Sequence, residues 1–184
     1  MRRKRQKVLI IGGLLLLAVL AAVLIFVKQK AKELEESESR KDTLLALTAD
    51  QIIAVEYTSP NGAVSLIRDE GQWHFLPDRE TEADQTKAGE LAASLTGVRL
   101  YQTMNGVSDL SQYGLETPRA EVRITDKEGA VTSIAVGDEN ETTSTVYCTL
   151  NDDPGTVYAA SVSLTTNLFS PKEEYVLKPD SEVS

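Results

Sequence analysis

Residues 52–75 read IIAVEYTSPNGAVSLIRDEGQWHF, and this stretch decides the fold class. It contains three short runs in which apolar side chains recur at every second position, the period of a strand with one buried face. The apolar positions are Ile53, Val55 and Tyr57, then Val64 and Leu66, then Trp73 and Phe75. The sequences SPNG and DEG separate the runs and are typical of tight turns. The segment therefore predicts a three-stranded antiparallel meander.

After Pro77 the apolar period lengthens to that of a helix. One helical face would carry Ala88, Leu91, Ala92 and Leu95. Asp84 suits the N-cap position, and Gly97 follows the expected end. We expect a helix over residues 84–95 that packs on the sheet.

A connector follows, and it carries signals for one further short helix. Ser108 is a candidate cap for a helix over residues 109–113. Gly114 suits the left-handed position that closes such a helix, and Pro118 prevents its continuation. We expect Leu115 to fold back onto the apolar side of this helix.

The second half of the chain repeats the pattern of strands and turns. Strands are expected around residues 122–124, 134–136, 146–150 and 157–159, and a final helix at residues 161–169. The turns are DKEG and NDDPG, and the sequence GDENETTS is expected to form a loop. Strands that occur in runs, with helices on one side of antiparallel sheet, indicate an α+β fold.

An internal similarity suggests two related βββα-like halves. VEYTSPNGAV begins at Val55 and VRITDKEGAV begins at Val122, an offset of 67 residues, with five identities in ten positions. Hairpins share such patterns by chance, so duplication and coincidence both remain open. The halves would comprise residues 44–104 and 105–177.

A membrane anchor is expected at residues 8–27, VLIIGGLLLLAVLAAVLIFV. Twenty helical residues extend about 30 Å, the thickness of the hydrocarbon core of a bilayer. Five basic residues lie in the tail formed by residues 1–7 and three follow the span, which places the N-terminus in the cytoplasm. A cleaved signal peptide is the alternative, but its apolar stretch would be shorter and would end at a cleavage site.

The residues after the span are expected to lie outside the cytoplasm at the cell membrane. Opposite charges four residues apart predict a helical stalk over residues 28–43. An α+β domain over residues 44–177 and a flexible tail over residues 178–184 would follow. The whole chain has a net charge of −9, but 28 acidic and 14 basic residues follow Val27, a net charge of −14. Such an acidic body excludes nucleic acid as a partner.

Few residues are candidates for chemistry. His74 lies between Trp73 and Phe75, so we expect it to face solvent, and Cys148 is expected to be a small core residue. Weak candidate metal ligands occur in the loop at Asp138, Asn140 and Glu141, and a second acidic turn spans residues 151–153. The set lacks the spacing of a zinc site or of an EF-hand, so no cofactor is expected.

Several motifs resemble a bacterial family known as domain of unknown function 4340. They are WHFLP at 73–77, Ala83 and Asp84, YGLETP at 113–118, IAVGD at 134–138 and VYC at 146–148. The signature residues are Trp73, Asp84, Tyr113, Gly114, Leu115, Pro118, Gly137 and Tyr147. The resemblance implies a membrane-anchored extracytoplasmic domain, often associated with components of ABC transporters, and it carries over no catalytic residue.

These observations predict a non-enzymatic, single-pass interaction module that is accessory to an ABC transporter. Its partners would be the lipid bilayer and an ABC permease or another membrane protein. Two alternatives stay open. One is a module that binds a cation or a cell-wall ligand through residues 138–141 or 151–153. The other is a surface hydrolase that uses His74.

Overall fold

In the computed structural model, residues 42–178 are described, and within them eight strands form one antiparallel sheet. In chain order the strands are β1 (Ile52–Ser59), β2 (Gly62–Asp69), β3 (Gln72–Phe75), β4 (Leu100–Asn105), β5 (Ala120–Asp126), β6 (Val131–Asn140), β7 (Thr145–Leu150) and β8 (Thr156–Ser161). Their order across the sheet is β3-β2-β1-β5-β6-β7-β8-β4. With one α-helix on this sheet, the domain is α+β, as expected.

The expected basic tail, membrane span and most of the stalk lie outside the described residues, as do residues 179–184. Within residues 42–178, no helix has the length and apolar character needed to cross a membrane. Thr43 was assigned to the stalk, but it pairs with Arg99 beside the sheet. The folded domain therefore begins at residue 42, two residues earlier than predicted.

The predicted meander is confirmed as strands β1, β2 and β3. Ser59 pairs with Gly62 across the two-residue loop of the first hairpin, and Asp69 pairs with Gln72 across the second. In the second loop Glu70 and Gly71 both have positive φ, the conformation of a type I′ turn. This turn matches the right-handed twist of the strands that it joins.

The predicted helix is α1 (Gln85–Thr96). The Asp84 side chain caps it by accepting hydrogen bonds from the backbone N–H groups of Thr86, at 2.9 Å, and Lys87, at 3.1 Å. Its buried residues are the four expected ones: Ala88, Leu91, Ala92 and Leu95. The capping residue and the apolar face are thus both confirmed.

The main core lies between the sheet and α1. Its largest fully buried side chains include Phe75, Leu66, Leu91, Leu95, Ile124 and Ile134. The C-terminal segment covers the remainder of this face with Leu164, Leu168 and Tyr175. Tyr57 ties that segment to the sheet because its hydroxyl donates to the Ser170 carbonyl oxygen at 2.6 Å.

One apolar position in β1 was assigned to the wrong residue. The strand has a bulge between Ile52 and Ala54, where its register against β5 shifts. An extra residue in one strand reverses the alternation beyond it. As a result Ile52 is fully buried, whereas Ile53 is only half-buried.

Strand β4 was not predicted. Its sequence LYQTMN has no clear apolar alternation, and most of its side chains are exposed. It is an edge strand that pairs in the sheet only with β8, with Leu100 opposite Ala160 and Asn105 opposite Thr156. A strand of this kind leaves little hydrophobic signal because it buries so little of its surface.

Two expected helices are shorter than predicted. Only Ser111–Tyr113 forms a 3-10 turn within residues 109–113, and the side chain that bonds to its first N–H belongs to Asp109, which accepts from the Ser111 N–H at 3.0 Å, and not to the expected Ser108. Residues 161–169 contain a 3-10 turn at Val162–Thr165 and then irregular turns. This segment is rich in Ser, Thr and Asn, which favour local side-chain bonds over helix. Further 3-10 turns lie at Ala49–Gln51 and Lys172–Tyr175.

The two proposed halves do not form separate layers. Strand β4, from the first half, pairs with β8 of the second, and β1 pairs with β5. Residues of β1 and β5 match at the offset of 67: Val55 and Tyr57 are buried like Val122 and Ile124. Beyond the hairpin loops the burial of equivalent residues no longer agrees. Val64 is buried, whereas Val131, the equivalent position 67 residues later, is exposed. The loop between β5 and β6 is longer than the loop between β1 and β2, so the register of β6 against β5 differs by one residue from that of β2 against β1. A shift of one residue exchanges the buried and exposed faces of a strand.

Candidate functional site

A trough crosses the open face of the sheet, opposite α1, over β1, β2, β5 and β6. Its volume is about 440 Å³. The side chains that face it from the four strands are Glu56, Thr58, Ala63, Ser65, Glu121, Arg123, Ser133 and Ala135. Short side chains on β2 and β6 leave room beside the longer charged side chains on β1 and β5. Leu76 and Asp152 contribute to the lining from outside these strands.

The trough has an excess of negative charge. Three carboxylates line it, from Glu56, Glu121 and Asp152, against the single guanidinium of Arg123. Glu56 stands opposite Arg123 in the register of β1 and β5, and it accepts a hydrogen bond from Ser65 Oγ at 3.2 Å. All four charged side chains are exposed, so they are available to a ligand. The surface therefore favours cationic groups.

The turn between β7 and β8 brings Asp152 to the trough. Asn151 and Asp152 both have positive φ, at 53° and 56°. The Asn151 side-chain oxygen accepts from the Ser133 N–H at 3.2 Å, and its own N–H donates to the Ser133 carbonyl at 2.9 Å. The turn is thereby tied to β6. Asp153, also a predicted candidate, accepts from the Gly155 N–H within the turn.

Five signature residues meet where the connector between β4 and β5 crosses the open face. Gly114 has a φ of 66°, as predicted, and the N–H groups of Gly114 and Leu115 bond to the carbonyls of Ser111 and Leu110. These two hydrogen bonds form the Schellman motif of a helix end. The rings of Tyr113 and Tyr147 pack edge to face, with centroids 5.0 Å apart. The crossing thus joins Tyr113, Gly114, Leu115, Gly137 and Tyr147.

The connector comes closest to the sheet at Gly137 of β6. A Cβ atom at this position would collide with the Tyr113 carbonyl oxygen and lie 2.9 Å from Leu115 Cγ. Leu115 is buried, and its side chain lies against Gly137 of β6. It is separate from the main core, so the connector buries apolar surface on the face opposite α1. The expectation that helical segments lie on one side only is therefore wrong for residues 111–113.

The predicted metal ligands Asp138, Asn140 and Glu141 have different surroundings in the structure. The sequence GDENETTS is not wholly a loop, because β6 continues through Asn140. A bulge between Val136 and Glu139 directs the Asp138 carboxyl group towards Gly114. The Asn140 side-chain oxygen accepts from the N–H groups of Thr142 and Thr143, and Glu141 is exposed. Residues 42–178 hold no group of three His, Cys, Asp or Glu side chains placed to bind a metal.

Trp73, His74 and Pro118, which the sequence also singled out, contribute to the packing and hydrogen bonding of the fold. Trp73 is buried, and its backbone N–H and carbonyl both bond to the Gln85 side-chain amide, at 2.7 and 2.9 Å. His74 is half-buried on the face opposite Trp73 and bridges to Glu82. Pro118 precedes Arg119, whose N–H donates to the Val136 carbonyl at 2.7 Å and returns the connector to the sheet.

Cys148 is fully buried in the core, as predicted. Burial raises the pKa of its thiol from the ordinary value of 9.0 to about 12, so the reactive thiolate is disfavoured. Burial also raises the pKa values of Tyr57 and Tyr175. These groups are more easily deprotonated in the unfolded chain, and the folded state loses stability as the pH rises.

We expect the free energy of unfolding to fall above about pH 9, by up to about 1.4 kcal/mol per pH unit for each such group. Cys148→Ala should remove the slope between about pH 9 and 10 and leave the slope that the two tyrosines cause at higher pH. Urea denaturation of both proteins at a series of pH values measures this. Equal slopes between pH 9 and 10 would contradict the burial of the thiol.

The sequence did not reveal the trough. Its charged residues occupy the polar positions of alternating strands, and that signal marks a solvent-facing side without indicating a site. The pairing of β1 with β5 brings Glu56 beside Arg123, 67 residues apart in the chain. Only the order of the strands in the sheet could have indicated that Glu56 and Arg123 are neighbours.

The family model described as "Domain of unknown function (DUF4340)" matches residues 73–182, more than half of the chain. The chain belongs to this family. The match contains all eight signature residues, including the five that meet at the connector crossing. Comparisons with curated proteins and with solved structures gave no match.

Proposed function

We propose that this chain is a single-pass membrane protein whose extracytoplasmic domain holds a positively charged, extended segment of a membrane partner. The trough is the contact surface, and residues 8–27 are the anchor. The resemblance described above implies an ABC transporter permease as the class of partner. In this role the protein is an accessory module and performs no chemical step itself.

The observation that supports the proposal is the combination of shape and charge in the trough. A volume of about 440 Å³ lies within the range of ligand pockets, and it suits a few residues of a peptide. The three carboxylates offer partners for Lys or Arg, while Arg123 can pair with an acidic side chain or a backbone carbonyl. Charge complementarity of this kind chiefly gives orientation and speed of association.

The distribution of charge along the chain supports the same arrangement. The residues after Val27 have a net charge of −14, which disfavours binding to anionic lipid headgroups. The basic residues before the span favour a cytoplasmic N-terminus. A domain that is tethered to the membrane but repelled by its surface is suited to contact another membrane protein.

The alternative functions gain less support. Of the candidate cation ligands, Asn140 already accepts hydrogen bonds within its own turn, and the Asp138 carboxyl group lies beside Gly114. His74 would need a catalytic partner within hydrogen-bond reach, and the pairings that the structure gives it within residues 42–178 are backbone ones, to Ile67 in β2 and to Glu82. We therefore favour the trough over both.

The test is photo-crosslinking from the trough in native membranes. A photoreactive residue at Ala63 of the full chain should capture one membrane protein. Replacing Glu56 and Glu121 together by Lys should lower the yield at least about tenfold, because the trough becomes basic. Raising the NaCl concentration from about 0.05 to 0.5 M should also weaken the capture.

The matched control is the double substitution Glu128→Lys and Glu173→Lys, which makes the same change in net charge at exposed positions outside the trough. Its yield should equal that of the unmodified chain. If both double variants lose capture equally, only net charge matters and the trough is not the contact surface. Capture that is indifferent to both variants would also reject the proposal.

A further inference from the structure

The polar side chains at the centre of the trough form one row that runs across the strands. Its members stand opposite one another in the registers of β2, β1, β5 and β6, and they are Ser65, Glu56, Arg123 and Ser133. Asn151 continues the row beyond β6, because its N–H and its side-chain oxygen both bond to the Ser133 backbone. Asp152 follows directly and lines the same trough. A segment that lies along the row therefore meets these side chains in a fixed order.

The charges along this row alternate in sign and are not neutralised by their neighbours. Glu56 and Asp152 are negative, and Arg123 lies between them. The Glu56 carboxylate is turned towards β2, where it accepts from Ser65 Oγ at 3.2 Å. The ion pairs formed among residues 42–178 involve other side chains. Three exposed charges of alternating sign are thus available to a ligand.

The spacing of these charges matches the repeat of an extended peptide. Neighbouring strands lie about 4.8 Å apart, so the steps from β1 to β5, to β6 and to the end of β7 place Glu56 and Asp152 about 14 Å apart. An extended peptide advances about 3.4 Å per residue and directs alternate side chains to one side. The first, third and fifth residues of such a stretch would face the trough, the first and fifth about 14 Å apart. The third would lie beside Arg123 and Ser133.

We propose that the partner segment runs across the strands and carries a basic side chain, an acidic one and a second basic one at alternate positions. The basic side chains pair with Glu56 and Asp152, and the acidic one pairs with Arg123. The proposal rests on the proposed function and adds to it the charge pattern and the direction of the partner segment. A basic residue at the middle position would meet Arg123 as a like charge, so the trough selects a pattern and not only a net charge.

The turn that carries Asp152 is held at both of its ends. Asn151 is tied to Ser133 of β6, and the Gly155 carbonyl accepts from the N–H of Val107 in the connector at 3.1 Å. Between these ties, Asn151 and Asp152 both have left-handed backbone angles. A turn fixed in this way keeps the second carboxylate at a set distance from the first. Little conformational entropy is then lost when the segment binds.

Arg123→Glu separates the proposed pattern from simple attraction to positive charge. The measurement is photo-crosslinking of the full chain in native membranes, with the photoreactive residue at Ala63. Attraction to net positive charge alone predicts a higher yield, because the trough becomes more acidic. The proposed pattern predicts a yield at least about twofold lower, because two carboxylates would then be in contact. Lys178→Glu makes the same change in net charge at an exposed position outside the trough and should leave the yield unchanged.

Asp152→Asn tests the second acidic position and has a matched control one residue away. Asparagine tolerates a left-handed backbone, so the turn should persist while the charge is lost. We expect the yield to fall at least about threefold, because a charge-assisted hydrogen bond is lost. Asp153→Asn should leave the yield unchanged, since Asp153 bonds to the Gly155 N–H within the turn and does not line the trough.

Mass spectrometry of the captured segment reads its direction and its sequence. Ala63 and Ala135 lie on β2 and β6, so photoreactive residues at these positions should mark points about four residues apart in one segment that contains the pattern. The proposal is overturned, and the proposed function stands, if Arg123→Glu raises the yield, if Asp152→Asn and Asp153→Asn behave alike, or if the captured segment lacks the pattern. If the unmodified chain captures no membrane protein, both fail.

Discussion

Gly137→Ala is expected to cost about 3 kcal/mol of stability, because an inserted methyl group at a closely packed point forces the backbone to move. The added Cβ would collide with the Tyr113 carbonyl oxygen and with Leu115. The oxygen belongs to the backbone of the connector, so it cannot move aside as a flexible side chain would. Urea denaturation of residues 42–184, the folded unit, measures the loss.

Gly89→Ala is the matched control for this substitution. Gly89 lies within α1, and a Cβ there would meet no atom within 4 Å. Alanine is the better helix former, so this variant should gain about 0.5–1 kcal/mol. If Gly137→Ala were as well tolerated as Gly89→Ala, the connector would not cross the sheet at Gly137.

Gly114→Val should lower the stability by about 2 kcal/mol, since a left-handed backbone costs most residues about 1–2 kcal/mol and β-branched residues more. Gly114 has a φ of 66° and closes the Schellman motif. A Cβ at this position would also collide with the Asp138 carboxyl group. The same denaturation experiment on residues 42–184 provides the value.

Two further variants separate the backbone strain of Gly114→Val from its steric collision. Ser111→Ala, in the exposed 3-10 turn, should cost clearly less than Gly114→Val, although it removes the hydrogen bond that the hydroxyl donates to Asp109. Adding Asp138→Ala to Gly114→Val should recover only the steric part of the loss, because the backbone strain remains. Equal effects of Ser111→Ala and Gly114→Val would show that the crossing is an ordinary solvated loop.

These predictions explain the family signature in structural terms. Gly114 is needed for its backbone angle, Gly137 for its lack of a side chain, and Leu115 for burial beneath the connector. Tyr113 and Tyr147 pack their rings together at the same place. The signature therefore describes a packing joint, and the proposed contact surface lies beside it on the same face of the sheet.

The features that depend on neighbours in the chain could be predicted from the sequence. The alternating residues of β2 and β3, the tight turns between them, and α1 with its Asp84 cap were all predicted. Gly114 was likewise placed correctly in a left-handed conformation. Each of these is governed by a local period or by a hydrogen bond spanning a few residues, so a short stretch of sequence contains the necessary information.

The features that depend on distant partners could be seen only in the folded domain. The bulges in β1 and β6 changed which side chains are buried, and β4 became a strand because β8 offered a free edge. The connector reached Gly137, and Glu56 came beside Arg123, through the order of strands in the sheet. Backbone pairing in a sheet is nearly independent of side-chain identity, so strand order follows from burying the whole core and leaves little trace in any one segment.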